Sequence, residues 1–414
     1  MNIFLIGLLT LILARVAMQF WLEKLNQSHV RAHSSIVPEA FQAVIDERSY
    51  QKSVEYTLAK SDFHQLELVF DTILLVAILF SGILPWFYHF FQREFGISIW
   101  SQAAFLFSTG ILLSIPALPF SWYSQFRLED RFGFNTTTPK VWWLDRLKGI
   151  CLALLLGYPL LVFILKLVQW TVDLWWLFAF ACVLGFQLLM MVLAPILILP
   201  LFNKFTPLPD GTLRERLLAL GQKTGFHSQS IQVMDGSKRS RHSNAFFTGF
   251  KRFRKIVLFD TLIQQLTEPE LEAVLAHEIG HYKKKHIPKM LVWSAATLLL
   301  TFYVVSVLAQ QNWFYEAFRF HNDDIVIALL LFSLLSGVVT FWFSPLAHWW
   351  SRKHEYEADR YAAETTGQPS WIVNALRKLN EKNLSNLTPH PIYSGFYYSH
   401  PTLLEREQAL QKVS

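Results

Sequence analysis

The chain has 414 residues, of which 52% are hydrophobic, 15% aromatic and only 16% charged, and its mean hydropathy is positive. That balance is too apolar for an ordinary soluble enzyme and implies several membrane spans. The formal charge of +6 is not a nucleic-acid signal, because Lys and Arg flank hydrophobic runs instead of forming one patch; no nucleic-acid partner is expected.

Seven runs are long enough to cross a bilayer, at roughly 2–22, 66–91, 101–123, 149–170, 174–201, 289–310 and 325–350. The first lacks Lys or Arg ahead of its apolar core and carries Arg15 within it, so it reads as a retained span and not as a signal peptide. Arg15 is expected to face the bundle interior or to snorkel. Trp170, Trp175, Trp176, Trp349 and Trp350 cluster at predicted span ends, as an aromatic belt requires. With the N-terminus outside, the outer loops 92–100, 171–173 and 311–324 hold only Arg93 and Arg319. The positive-inside rule then places 23–65, 124–148, 202–288 and 351–414 in the cytoplasm. Cys151 and Cys182 fall inside spans and are expected as buried packing residues, neither ligands nor a disulfide pair. Arg15, Asp71 and Gln187 sit at membrane depth, where they are costly facing lipid and reasonable on faces that line water. No internal repeat, P-loop or dinucleotide fingerprint occurs.

The pattern divides the chain into four parts. Residues 1–201 hold five spans and their loops, 202–288 form a cytoplasmic catalytic segment, 289–350 hold two more spans, and 351–414 form a cytoplasmic C-terminal segment. Within 202–288, Leu213 to Leu220 reads as helix, and Ser230 to Met234, Asn244 to Phe250 and Lys255 to Phe259 read as short strands between Gly and basic turns. A small sheet there offers an edge to which an extended peptide can add as a strand.

Thr267 to His286 carries the chemistry. It contains His277-Glu278-Ile279-Gly280-His281, an H-E-x-x-H pattern. On a helix, residues four apart share a face, so His277 and His281 can hold one zinc ion between them, with Glu278 beside them to take a proton from water. Thr267 and Glu270 form a capping-box pattern, and Pro269 is tolerated in the first turn. Leu271, Val274, Leu275 and Ile279 recur at helical spacing, and Pro288 marks an end or kink.

A two-histidine site needs a further protein ligand. Glu355, Glu357, Asp359, His286 and His354 are the available candidates. Glu355 and Asp359 are four apart and share a helix face, whereas Glu357 points away from Glu355. Asp359 fits a role behind the ligands, accepting the free N–H of a ligating histidine. His286 and His354 read as surface residues near a polar helix end.

Together these residues resemble the zinc-dependent CAAX prenyl endopeptidases, membrane metalloproteases that cut the last three residues from prenylated proteins. The resemblance rests on Val37-Pro38 through Tyr56, Gly133-Phe134-Asn135, Leu201-Phe202-Asn203-Lys204-Phe205, Ser243-Asn244-Ala245 and the H-E-x-x-H run. It also takes in Ser351-Arg352 with Glu355 and Asp359, and Ser399-His400-Pro401 with Glu405-Arg406. It implies a mainly α integral membrane protein. Seven transmembrane helices would form a hollow barrel-like bundle, with a small cytoplasmic α+β zinc metalloprotease domain. His277, His281 and Glu355 would then be the ligands of one zinc ion and Glu278 the general base. Asn244 would hydrogen-bond the substrate backbone, His400 would help to stabilise the oxyanion, and Asp359 would orient a ligand. The implied partners are peptide or protein C-terminal tails, prenylated in the family's substrates, and membrane lipid.

The brief 311–324 loop, the short chain and an end without a dilysine-type signal read as a bacterial inner-membrane member. Two other readings compete. One is a quality-control protease for damaged membrane proteins. The other is a non-catalytic membrane scaffold with a structural metal, which would need a site closed by four protein ligands.

Overall fold

Six helical stretches are apolar and long enough to cross a membrane by length and composition: Ile3–Ala32, Glu47–Phe80, Ile99–Glu129, Pro139–Phe202, His286–Leu308 and Ile325–Thr366. The computed structural model describes residues 3–42, 45–226, 230–248, 255–321 and 324–412. Large apolar side chains such as Leu154, Leu155, Phe178, Leu188 and Leu189 are exposed along these helices, a face that suits lipid and not water. The Pro139–Phe202 stretch is two legs, not one. Val172 takes a positive φ of 39°, and Ile164 on the first leg packs with Trp175 and Ala179 on the second. The seven runs expected from hydropathy thus fall on six stretches, one of them bent back on itself.

Two expectations need correction. The run 66–91 is not a single helix: the helix starts at Glu47, capped by the Asp46 carboxylate, and ends before Gly82, whose φ of 83° breaks it. Hydropathy misses the first half of this helix because its sequence from Glu47 to Gln65 is polar. Cys151 is exposed and Cys182 only half-buried, so neither is a core residue. In a lipid-facing protein the outer face is as apolar as the interior, and composition alone does not distinguish them. The charged run after the last span is helical, as its spacing implied: Ser344–Thr366 continues as one helix through it.

The segment between spans five and six folds into a four-stranded sheet in the order β1-β2-β4-β3, with β1 at Phe205–Pro207, β2 at Ser230–Met234, β3 at Ala245–Thr248 and β4 at Lys255–Phe259. Strand β1 is too short to leave a periodicity signal in the sequence. The expected strand from Asn244 starts one residue later, and Gly249 and Phe250 lie outside the described residues. β2 and β4 run parallel, while β1 and β3 are antiparallel edges. The helix expected near Leu213 spans Thr212–Thr224.

Loops from the membrane half lock this sheet in place. Asn135 bridges Ser240, Phe134 stacks on His242 at 4.0 Å, and Arg239 makes two bonds to Asp145 at 2.8 and 3.0 Å. Tyr56 donates to Glu129 at 2.6 Å, and Tyr50 donates to the His33 carbonyl at 2.7 Å. The loop at 133–135 thus contacts the sheet segment directly, while Val37, Phe41, Tyr50 and Val54 are buried in one core with Ile231 of β2 and Ile256 of β4.

Candidate metal centre

The H-E-x-x-H residues lie on the helix Glu268–Lys283. Its start is fixed by the Thr267/Glu270 capping box with a Pro in the first turn, and Glu268 and Glu270 place negative charge at the positive end of the helix dipole. Leu271, Leu275 and Ile279 are buried with Ile256 and Leu258 of β4 and with Ala362 and Ala363 of Ser344–Thr366. Val274 packs at the edge of this core. That apolar face fixes the helix rotation, and so aims His277 and His281 at Ser344–Thr366.

Gly280 lets the two helices meet. A Cβ there would lie 3.1 Å from the Ala358 Cα and 3.2 Å from the Ala358 carbonyl oxygen, so any larger residue would push them apart. The helix ends at Lys283. Lys285 adopts a left-handed φ of 56°, and a new helix begins at His286, so Pro288 sits in a first turn and not at an end.

Across this close approach, one ligand atom each from His277, His281 and Glu355 lies within 4.8 Å of the others. His277 Nε2 faces His281 Nε2 at 3.1 Å, and the Glu355 oxygens stand 3.5 Å from His277 Nε2 and 3.4 Å from His281 Nε2. Glu355 Oε2 is buried and lacks a hydrogen-bond partner. Burial opposes charge on His277, but the Asp359 carboxylate bonded to it and the nearby Glu355 carboxylate outweigh it and raise its pKa to about 9. Burial and the neighbouring His277 lower His281 to about 4. Two inward-facing ring nitrogens and an orphaned carboxylate oxygen therefore ask for one positive charge among them. A metal cation fits that donor set.

Glu278 is half-buried beside the ligands, and burial pushes its carboxyl above the ordinary value. A carboxylate raised in this way is better matched to holding a proton near neutral pH. Behind His277, Nδ1 meets Asp359 Oδ1 at 2.9 Å. Arg406 then clamps Asp359 with Nε to Oδ2 at 2.7 Å and Nη2 to Oδ1 at 2.5 Å. Arg406, expected as a structural residue buried near the site but without an assigned partner, is thus the buried counter-charge of Asp359. His400 is largely exposed, with Nε2 3.7 Å from Glu355 Oε1. Asn244 is exposed at the entry to edge strand β3; its side chain accepts from the Ala245 N–H, and its carbonyl accepts from the Phe259 N–H.

His286 and His354 are not the surface residues expected. They are 1% and 4% exposed and stack on each other at 4.0 Å. The break at Lys285 folds His286 back beside His281, a turn that residue spacing on an unbroken helix does not reveal.

This centre, on a frame of long lipid-facing helices, defines a multi-pass integral membrane metalloendopeptidase. Residues 26–204 match the family model described as CAAX prenyl protease N-terminal, five membrane helices, and residues 207–414 match that of peptidase family M48. The chain therefore belongs to the CAAX prenyl protease family of M48 metallopeptidases, as its sequence resemblance implied. It is 36% identical to CAAX prenyl protease 1 of Saccharomyces cerevisiae over 91% of this chain and 89% of that protein. It is 37% identical to the CAAX prenyl protease 1 homolog of Arabidopsis thaliana over 90% of each chain. The crystal structure of S. mikatae Ste24p superposes with a TM-score of 0.91 at 33% identity, covering 99% of both chains.

Proposed function

We propose that this protein is a zinc endopeptidase that removes the C-terminal tripeptide from prenylated CAAX-type proteins or peptides, on the cytoplasmic side of its membrane. The observation that carries the reading is the convergence of His277, His281 and Glu355, with Glu278 beside them, in a chain 36% identical to a named CAAX prenyl protease. Two imidazoles and one carboxylate are a common catalytic zinc set that leaves a coordination position open. The Lys and Arg distribution supports the cytoplasmic side. The same reading keeps the four-part division of the chain and the bacterial inner membrane expected from its short loops.

His277, His281 and Glu355 would hold the ion, which when bound supplies Lewis-acid polarisation of water and of the scissile carbonyl. Glu278 takes the proton of the attacking water and returns it to the leaving nitrogen. His400 donates to the carbonyl oxygen as it gains negative charge, and Asn244 hydrogen-bonds the peptide backbone as the substrate lies along the β3 edge. Asp359 keeps the proton of His277 on Nδ1, so that Nε2 faces the ion. Incubating the purified protein with a farnesylated CAAX peptide, its unprenylated form and an unrelated peptide tests the assignment. Release of the tripeptide mainly from the farnesylated substrate is expected; equal cleavage of all three would rule out CAAX processing as the function.

Glu355→Ala should weaken zinc binding more than Asp359→Ala, for which loss of the outer hydrogen bond to His277 costs on the order of 10–100-fold. Zinc-competition titration giving the reverse order would exchange the two roles.

The reading also includes a water-filled chamber among the helices. Arg15, Gln19, Glu67 and Asp71 line one cavity of about 260 Å³, and Glu67 and Asp71 also border a second of about 350 Å³. Gln187 instead donates to Ser294 at 3.1 Å, a packed pair between two helices. A single cysteine at Asp71 should react with a small water-soluble thiol reagent in intact membranes, in a background lacking Cys151 and Cys182. An unlabelled Asp71→Cys beside a fully labelled cytoplasmic-loop control would mean a dry core.

A further inference from the structure

The H-E-x-x-H histidines are both backed by a second residue, but only the partner of His277 follows from the sequence pattern. His281 Nε2 faces His277 and Glu355, so a neutral His281 that ligates through Nε2 must carry its proton on Nδ1. That Nδ1 meets His286 Nδ1 at 3.0 Å. Two N–H groups cannot face each other there, so His286 Nδ1 is the acceptor and its proton sits on Nε2. His286 Nε2 in turn meets Glu357 Oε2 at 3.0 Å. Proton positions thus run in one direction, from His281 through His286 to Glu357.

The surroundings fix this order. His286 is 1% exposed, and its ring plane is held by His354, stacked at 4.0 Å with an interplanar angle of 13°. Trp350 lies at 4.9 Å on His354. The left-handed Lys285 directs His286 back toward His281. Glu357 stands two residues from Glu355 on Ser344–Thr366, so this helix supplies both the carboxylate facing the two Nε2 atoms and the carboxylate that ends the chain of hydrogen bonds. A buried imidazole with both nitrogens partnered is held rigidly in one orientation.

We infer that His286, held by Glu357, is a positioning residue for the metal centre: it accepts the Nδ1 proton of His281 and so fixes the tautomer and ring orientation that present Nε2 to the ion. The inference rests on the reading of His281 as a ligand. It adds a second outer arm to the one formed by Asp359 and Arg406. The two arms differ in chemistry: His277 leans on a buried anion, whereas His281 leans on a neutral ring whose charge partner is part-exposed.

The test is zinc affinity of the full-length protein in detergent, measured by competition with a chromophoric chelator. His286→Leu keeps an apolar side chain but removes the acceptor, and should weaken zinc binding about 10–100-fold. His286→Asn places a carbonyl oxygen close to where Nδ1 stood and should recover most of that loss. Glu357→Leu, at a part-exposed position, should free the His286 tautomer and weaken binding several-fold. Equal affinities for His286→Leu and His286→Asn, or wild-type affinity in Glu357→Leu, would overturn the inference. His281→Ala separates the two levels. If it loses zinc while the Leu variants bind normally, only the second arm fails. If it binds zinc normally, the ligand reading itself fails.

Discussion

Glu278→Gln is expected to keep one metal ion bound per chain and to lose peptide hydrolysis by about 10²–10⁴-fold. The amide is almost isosteric with the carboxylate, and Glu278 is none of the three residues that converge as a donor set, so the ligand shell is unchanged. What the amide cannot do is accept a proton. The wild-type carboxyl is raised by burial, which brings its basicity closer to neutral pH than that of a surface glutamate. Metal content and single-turnover cleavage should therefore separate cleanly in this variant. Near-normal cleavage with full metal would reject the base role, and loss of metal would mean that Glu278 supports the shell as well.

The sequence carried the centre well because its signals are local. The capping box, the Pro in the first turn and the apolar recurrence of Leu271, Leu275 and Ile279 fix a helix, and helical spacing then aligns His277 with His281. Spacing puts Glu355 and Asp359 on one helix face but leaves five candidates for the further ligand, and only the family resemblance singles out Glu355. Less legible were features set by how elements meet. Gly280 reads as a helix-weakening residue until Ala358 is seen 3.1 Å from the Cβ it lacks. His286 reads as a surface residue because the left-handed turn at Lys285 leaves no periodic trace. Arg406 could be noticed but not assigned, since its partner Asp359 is 47 residues away. Membrane burial failed for a different reason. Hydropathy reports apolar character, and Cys151 satisfies that equally well against lipid or inside a core.

The largest effect is expected at the ligands themselves. His277→Ala or His281→Ala should abolish both metal binding and hydrolysis, because either change leaves only two of the three converging donors. The fold should survive. In His277→Ala, Asp359 keeps its two bonds to Arg406, so its buried charge stays paired. In His281→Ala, His286 keeps its bond to Glu357. Removing Arg406 would act differently, since Asp359 would lose its buried counter-charge and keep only the bond to His277, and breaking a buried pair in this way generally costs about 3–5 kcal/mol of stability. The ligand variants should therefore melt close to the metal-free wild type, while Arg406→Leu melts well below it. Metal analysis after gel filtration, paired with thermal unfolding in chelator, reads both quantities on one sample. Full metal occupancy in either alanine variant would overturn the ligand set.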